Sequence, residues 1–305
     1  MLARIPELRQ PIETELQACA PGLTDDFPVT RYLAAFDALP TLAPYHRVPD
    51  EAHGIGAAIV ARAGEAALEH YHRLAMLNLI ERSLSRPDPR LTPEVSADRD
   101  RHFARMVSAM EAPRNRFYRL DNDLFAKDFA LCRGKLVPCG VELADLHSGV
   151  SRRILLRGGP GQFLSGLGFL GIPIKGFRPF FETHFDRRLI DAFDAAGYVR
   201  LYRRLAGLMA REPAIRGVIS SSWWHDPALA RISPELDFID REPLNAGARL
   251  FRVGEDSTAT ADATRFAPDR SALYKRGEYK PQVWMLVWAR RDLLAWADRQ
   301  PGDAA

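Results

Sequence analysis

Cysteine is scarce in this sequence. Its 305 residues include three cysteines, Cys19, Cys132 and Cys139, an odd number that contains no Cys-x-x-Cys pair. A disulfide framework needs paired cysteines, and a structural zinc knot needs closely spaced ones. The sequence indicates neither of them, and we expect a reduced, cytoplasmic environment.

Long apolar runs and blocks of one charge are also missing. Nowhere do about 18 consecutive apolar residues occur, and no apolar run follows a basic start. The 42 Lys and Arg residues are interspersed with 39 Asp and Glu residues, which leaves a net charge of only +3. Proteins that follow a phosphate backbone concentrate their cations. We therefore expect neither nucleic acid nor a membrane as a partner.

The remaining composition is that of an ordinary globular protein. It is 47% hydrophobic and 27% charged, and the chain is long enough for one large or two modest domains. Apolar residues recur at helical spacing over residues 55–84, interrupted by Gly64, and again from Val95 to Met110. The composition changes near Pro113. We predict a helical domain over residues 1–112 and a second domain over residues 113–300.

The second domain alternates strand and helix patterns. The predicted elements are a hairpin of Leu124–Leu131 and Lys135–Val141, a helix over Arg187–Arg211, short helices over Pro227–Phe238, and strands at Phe177–Phe185, Ile215–Ser221, Ala248–Val253 and Val283–Trp288. Acids in the early turns of the long helix and arginines in its late turns agree with the helix dipole. The predicted fold class is α/β (α+β): a helical N-terminal domain followed by a mixed sheet flanked by helices.

One segment gathers several chemically active side chains. Ser221-Ser222-Trp223-Trp224-His225-Asp226-Pro227 follows a predicted strand and precedes a helix, a junction at which α/β folds bind ligands. Asp226 before Pro227 is an ordinary helix start, so we predict a structural capping role for Asp226. Adjacent residues at a strand end point in opposite directions, so one of the two tryptophans is expected to line a cleft.

The same segment carries a family resemblance. The stretch Ser222-Trp223-Trp224-His225-Asp226-Pro227-Ala228-Leu229 resembles a Ser-Trp-x-x-Asp-Pro-x-Leu segment of a divergent, bacterial group of Gcn5-related N-acetyltransferase (GNAT)-like acyltransferases with a helical N-terminal domain. His184 falls where that group carries a histidine before its long helix. The order of predicted elements over residues 115–297 is also similar to that of the GNAT fold, in which a splayed sheet receives the pantetheine of an acyl thioester.

The resemblance implies a thioester as co-substrate and no metal cofactor. The function it implies is transfer of an acyl group to an amine or hydroxyl of a small molecule, and N-acyl transfer is the form typical of the fold. The glycine-rich stretch Arg157-Gly158-Gly159-Pro160-Gly161 is the nearest counterpart of the loop that binds the pyrophosphate of CoA, although it lies one strand too early. An acyl-CoA and an acyl carrier protein both stay open as donors, and the sequence does not indicate an oligomeric state.

Acyl transfer needs a base and groups that bind the thioester. A histidine titrates near neutral pH, so His184 is the first candidate for the base, with Glu182 on the same strand face to orient or replace it, and His225 is the second. The predicted thioester-binding residues are Ser221, Ser222, Trp223, Trp224, Arg157, Gly158, Gly159 and Gly161. A serine nucleophile among Ser220, Ser221 and Ser222 is disfavoured, because the segment does not match Gly-x-Ser-x-Gly.

Two alternatives belong to other functional classes. Glu65, Glu69 and His72 share one helix face, and Asp98 and His102 share another, so two helices could together ligate a dinuclear iron or manganese centre of an oxygenase. Helical-bundle sites of this kind generally use a Glu-x-x-His pair from each of two helices, and here only one is present. The second alternative is a non-catalytic binding protein on the same fold.

Overall fold

The computed structural model describes residues 3–111, 116–265 and 267–300. It is a mixed α/β protein: helices make up 60% of it, and the described residues also contain six strands. The chain divides into two compact units, Met1–Pro138 and Cys139–Ala305. Within the described residues, no helix combines the length and the apolar character needed to span a membrane.

The first unit is built from helices. They are α1 (Arg4–Cys19), α2 (Leu23–Asp26), α3 (Val29–Asp37), α4 (Asp50–Ser85), α5 (Pro93–Ala109) and α6 (Asp123–Cys132), and a short strand, β1 (Leu136–Pro138), follows them. Helices α4 and α5 cover the two stretches in which the sequence predicted helices. Gly64 adopts a φ of 80°, so that α4 is kinked at the predicted interruption.

The predicted hairpin of Leu124–Leu131 and Lys135–Val141 is wrong. Residues 123–132 form helix α6, because the Asn122 side chain accepts hydrogen bonds from the first free N–H groups, those of Leu124 and Phe125. Nearly every side chain of α6 is buried, and a short run of buried residues fits a strand or a helix equally well. With this segment helical, the first unit extends to Pro138 rather than to residue 112.

The second unit alternates strands and helices. Its elements are β2 (Glu142–Ser148), α7 (Ile154–Arg157), α8 (Gly159–Gly171), β3 (Phe180–Phe185), a 3-10 helix (Arg187–Ala192), α9 (Ala195–Arg211), β4 (Gly217–Ser222), a 3-10 helix (Trp223–His225), α10 (Leu229–Ile232), a 3-10 helix (Pro234–Ile239), α11 (Arg241–Asn245), β5 (Arg249–Gly254), α12 (Ser257–Arg265), α13 (Pro268–Lys275), β6 (Val283–Ala289) and α14 (Arg290–Arg299). The predicted long helix begins at Ala195 instead of Arg187, because the Asp194 carboxylate caps the Gly197 N–H at 2.6 Å.

The strands of the second unit form a mixed sheet in the order β2-β3-β4-β6-β5. Only β3 and β4 run parallel, and the other neighbours are antiparallel. On one face, which we call the α8 face, Phe180, Ile219 and Val287 pack in a core with residues of α7 and α8. On the other, the α9 face, Trp288 contacts Tyr202 of α9 with ring centroids 5.2 Å apart.

The ladder between the two parallel strands ends before the strands themselves do. The ladder between β3 and β4 consists of Phe181–Val218, Glu182–Ile219 and Thr183–Ser220. Past these pairs each strand continues for two residues beside its outer neighbour, β3 along β2 and β4 along β6. Thr183 and Ser220 therefore form the last pair, which we call the apex, and the carboxyl ends of β3 and β4 beyond this pair, which are not paired with each other, are called the β3–β4 split.

Candidate functional site

A serine, a histidine and an aspartate are joined by hydrogen bonds at this apex. The His225 Nε2 atom lies 2.9 Å from the Ser220 hydroxyl, and His225 Nδ1 lies 2.6 Å from the Asp240 carboxylate. A carboxylate can only accept, so Nδ1 carries the ring proton, and Nε2 is left to accept from the serine. This is the arrangement in which a histidine takes the proton of a hydroxyl nucleophile.

Local structure explains why these three side chains meet. Strand alternation turns Ser220 to the α9 face, together with Val218. The 3-10 turn Trp223–His225 then folds the chain back, so that His225 reaches a serine only five residues earlier. Asp240 follows the 3-10 helix Pro234–Ile239, whose last carbonyl accepts from the Tyr202 hydroxyl at 2.8 Å. Ser220 is 8% and His225 2% exposed, so the site is largely shielded from water.

A buried carboxyl group belongs to the same cluster. Glu142 accepts a hydrogen bond from the Tyr198 hydroxyl at 2.9 Å and is also hydrogen-bonded to Thr183. The pKa of Glu142 is raised, mainly by burial and also by the charge of Asp240. The two hydrogen bonds and His225 act in the opposite direction but do not cancel this shift. Burial also holds the pKa of Tyr198 well above its usual range, so that its hydroxyl stays a donor.

The Glu142→Gln variant is expected to gain stability relative to the wild type as pH rises. The folded-state pKa of Glu142 lies above its unfolded value. As pH rises above about 4, the unfolded chain therefore loses this proton before the folded protein does. Wild-type stability falls over this range, until the pH exceeds the folded-state pKa. Glutamine has no such proton and keeps an acceptor for Tyr198. Urea unfolding at several pH values, followed by tryptophan fluorescence, measures the difference, because all five tryptophans lie in the second unit.

The control is Asp298→Asn, which neutralises an exposed carboxylate on α14. Its difference from the wild type should change little over the same range. A Glu142→Gln difference that also stayed constant with pH would contradict the role assigned to burial.

Two indole groups near the split carry buried N–H donors. Trp224 packs against Phe185 and Phe193, with ring centroids 5.5 and 5.9 Å away, and Trp284 is the β6 partner of Ser222. Among the described residues neither indole nitrogen has a hydrogen-bond partner. A buried donor without a protein partner is uncommon in folded proteins, so these two N–H groups are available to a water molecule or a ligand.

The structure does not place His184 with the tryptophans. His184 pairs with Leu143 and Glu182 with Asp145, so both side chains lie on the α8 face, whereas Trp224 packs on the α9 face. The Glu182 carboxylate accepts from the Ser148 hydroxyl at 2.6 Å. Glu182 and His184 share a strand face, as strand alternation requires, and that face is opposite to the one on which Trp224 packs.

The rest of the predicted segment surrounds the apex. Ser221 is exposed on the α8 face, and Ser222 is half-buried beside Trp284. The Trp223 ring is stacked under the Arg270 guanidinium at 4.9 Å. Asp226 accepts from the Ala228 N–H at 3.0 Å and from the Gln282 N–H at 3.1 Å, so it ties the start of the α10 region to β6.

The glycine-rich stretch lies elsewhere. Arg157, at the end of α7, donates to the carbonyl of Val253 in β5 at 2.8 Å. Gly158, Gly159 and Gly161 form the start of α8, where the Gln162 side chain bonds the backbone of Arg252. In the sheet, β6 and β4 lie between β5 and β3, so these residues are not gathered at the β3–β4 split.

The structure gives the residues of the metal alternative other partners. His72 is buried, with Nε2 2.9 Å from the Tyr32 hydroxyl and Nδ1 2.7 Å from the carbonyl of Tyr118, and burial lowers its pKa to about 4. Glu65 pairs with Arg119 at 3.0 Å, and Asp98 pairs with Arg101. Within residues 3–111, 116–265 and 267–300, no group of three or more His, Cys, Asp or Glu side chains, Glu69 and His102 included, is placed to hold a metal ion.

The first unit contains an open cavity of about 620 Å³. Its walls are mainly apolar side chains of α4, and Tyr32, His72 and the Glu65–Arg119 pair supply polar groups. The volume is that of a typical small-molecule site. The cavity is therefore a candidate binding site for a largely apolar small molecule.

Comparison with known proteins leaves the site to be interpreted from its own geometry: no family model, curated protein or solved structure matches the chain.

Sequence reasoning missed Asp240, Glu142 and Tyr198 and set Ser220 aside. The spacing of Ser220 and His225 across a strand end was visible, but it gives no indication that the chain folds back by a 3-10 turn. Asp240 lies next to His225 because of that turn and because of the 3-10 helix Pro234–Ile239, which ends directly before Asp240.

Proposed function

We propose that the chain is an acyltransferase that moves an acyl group from a thioester to an amine or hydroxyl of a small molecule. The observation that carries the proposal is the Ser220–His225–Asp240 hydrogen-bonded chain at the apex of the β3–β4 split. A nucleophile bonded to a base, which is in turn oriented by a carboxylate, is the arrangement that acyl transfer uses. Its position at the carboxyl ends of parallel strands, where α/β sheets bind ligands, supports the same conclusion.

The split suits an extended donor. At Ser221 and Ser222, β4 has β6 on one side and the split on the other. The pantetheine arm of CoA or of a carrier protein is narrow and contains amide groups, so it can lie along a strand edge as an added strand does. The GNAT resemblance rests on an order of elements that begins with a hairpin; the hairpin is absent because residues 123–132 are helical, and β3, α9, β4, β5 and β6 follow in the remaining part of that order.

The chemistry proceeds in two balanced steps. His225 takes the Ser220 proton as Oγ forms a bond to the thioester carbonyl carbon; the C–S bond then breaks, and His225 returns the proton to the departing sulfur. The acceptor amine or hydroxyl next attacks the acyl-serine ester, its proton passes to His225, and the proton then goes to Ser220 Oγ as the ester bond breaks. Asp240 holds the imidazole and stabilises its protonated form.

An acyl-enzyme provides the direct test. Mixing the protein with acetyl-CoA, longer acyl-CoAs or an acyl carrier protein, without an acceptor, should release one thiol per chain and add the mass of one acyl group to the peptide that contains Ser220. Adding amines or alcohols should then remove this mass. The donor that reacts distinguishes CoA from a carrier protein, and turnover without any acyl adduct would contradict the serine mechanism.

The Trp224→Phe variant is expected to lower turnover strongly while changing the stability of the fold only slightly. The Trp224 nitrogen has no partner within the described residues, so phenylalanine breaks no protein hydrogen bond, and we expect a loss of stability well below the about 3–5 kcal/mol of a truncation to alanine. If this N–H stabilises the oxyanion, turnover should fall by about 10²- to 10³-fold. Thiol-release kinetics and urea unfolding measure the two effects.

Trp296→Phe is the matched control. Its indole nitrogen donates to Glu242 at 2.8 Å, away from the split, so its replacement should lower stability and leave turnover unchanged. Full activity of Trp224→Phe would exclude this donor from the reaction.

A further inference from the structure

Helix α8 and the end of α7 expose an unusual set of large apolar side chains. Leu156, Leu164 and Ile172 are 72%, 70% and 76% exposed, and Leu167 and Phe163 are 49% and 37% exposed. We call these five residues the α8 patch. Contiguous exposed apolar surface on a soluble protein typically marks an interaction site.

The fold itself does not require this patch. The inner side of α8 is formed by Gly166, Phe169 and Leu170, which are buried. A Cβ atom at Gly166 would lie 2.6 Å from Leu155 and 3.1 Å from Phe251, so the helix sits close on its core. Polar side chains at positions 164, 167 and 172 would leave this packing unchanged. The outer apolar residues therefore add nothing to the core and are available to a partner.

The charge around the patch has a single sign. Residues 149–181 contain no Asp or Glu, whereas Arg152, Arg153, Arg157, Lys175 and Arg178 are all present and all exposed. The Arg249 guanidinium adds a cation that stacks on Phe169 at 4.8 Å. Such a surface attracts an anionic partner, and it disfavours a second copy of the chain, since a symmetric pairing would bring these cations together.

We propose that the α8 patch binds the surface of an anionic lipid bilayer. A helix with one apolar side lies in the interface with that side about 5–10 Å deep, while neighbouring Lys and Arg bind lipid headgroups. Three arginines precede α8, namely Arg152, Arg153 and Arg157, and Lys175 and Arg178 follow it. Cations are therefore available at both ends of the helix to bind headgroups when its apolar side lies in the bilayer interface. The sequence expectation of no membrane partner rested on the lack of a spanning segment and on charges interspersed over the whole chain, and it overlooked this acid-free stretch. The inference does not depend on the proposed acyl transfer.

Vesicle co-sedimentation tests the proposal with the full chain. Vesicles of phosphatidylcholine alone are compared with vesicles that also contain phosphatidylglycerol, at low salt and at about 1 M salt, where screening acts within about 3 Å. We expect binding to the anionic vesicles at low salt and much weaker binding in the other conditions. Replacing Arg152, Arg153 and Arg157 together by glutamine should weaken binding about a hundredfold, at about fivefold per cation.

Removing the apolar part of the patch should also weaken vesicle binding. The double variant Leu164→Glu and Ile172→Glu should weaken vesicle binding by at least about tenfold. Two matched controls keep the patch intact: Ile190→Glu with Leu244→Glu changes exposed apolar residues elsewhere, and Arg86→Gln with Arg200→Gln and Arg299→Gln removes three other exposed arginines. Both controls should bind as the wild type does.

Four outcomes would overturn the proposal. They are no binding to anionic vesicles, equal binding to neutral vesicles, equal loss in the control variants, and capture of a soluble acidic polypeptide in place of vesicles. A dimer that dissociates in Leu164→Glu with Ile172→Glu, without vesicle binding, would assign the patch to self-association. Circular dichroism of each variant shows that the loss of binding is not a loss of fold.

Discussion

Replacing Ser220 by alanine is expected to lower acyl-transfer turnover by at least about 10⁴-fold and to abolish the acyl adduct. In the proposed mechanism the hydroxyl is the group that becomes acylated, and removing the serine or the histidine of a serine–histidine–aspartate unit costs about as much activity as removing all three residues. His225→Ala should have a similar effect, because no other base is hydrogen-bonded to Ser220 among the described residues. Thiol release at saturating donor measures both variants.

His184→Ala is the matched control for His225→Ala. It removes an imidazole from the same sheet, but from the α8 face instead of the α9 face. We expect His184→Ala to keep most of the activity. If His184→Ala were inactive and His225→Ala active, the base predicted from the sequence would be correct and the assignment of Ser220 and His225 would be wrong.

Replacing Trp288 by alanine is expected to lower the unfolding free energy of the second unit by about 3–5 kcal/mol. Trp288 is fully buried, its ring packs against Tyr202 and Trp296, and its indole nitrogen donates to the carbonyl of Ala246 at 3.2 Å. Alanine leaves a cavity beneath α9 and an unpaired carbonyl. Urea unfolding followed by the fluorescence of the remaining tryptophans measures the loss.

Two further variants calibrate this loss. Trp288→Phe keeps most of the ring and should cost distinctly less than alanine, while Ile190→Ala, at a 54% exposed position, should cost under about 0.5 kcal/mol. A loss below about 1 kcal/mol for Trp288→Ala would show that the α9 face is loosely packed, in contradiction to the structure.

Four of the five strands of the second unit, β3 to β6, were predictable from the sequence, whereas β2 was not predicted. Val283–Trp288 is fully apolar, and Ile215–Ser221 has β-branched apolar residues at Ile215, Val218 and Ile219; the structure has strands at Gly217–Ser222 and Val283–Ala289. Leu124–Leu131 looks the same by composition yet is helical. The difference comes from Asn122 and from burial on all sides, and burial depends on the tertiary structure.

The site was only partly predictable for a similar reason. The segment Ser221–Pro227 drew attention because of its residue types, and it does surround the apex. Which face of the sheet each side chain occupies depends on the register of β3 with β4, and that register pairs Thr183, not His184, with Ser220. Register between parallel strands is set by distant packing, so the sequence could not show that Ser220 meets His225 on the face opposite His184.

The hydrogen-bonded chain at the apex is assembled from short-range contacts. His225 is five residues from Ser220 and fifteen from Asp240, so loops of only these lengths must close to bring the groups together. The entropy lost on closing a loop grows with its length. Contacts this close in sequence therefore form early during folding and at a small entropy loss. The order Ser–His–Asp within one stretch also differs from the orders found in the main serine-hydrolase folds. The three groups could therefore be acquired or lost by substitutions within one short piece of chain, residues 220–240, without rebuilding the sheet.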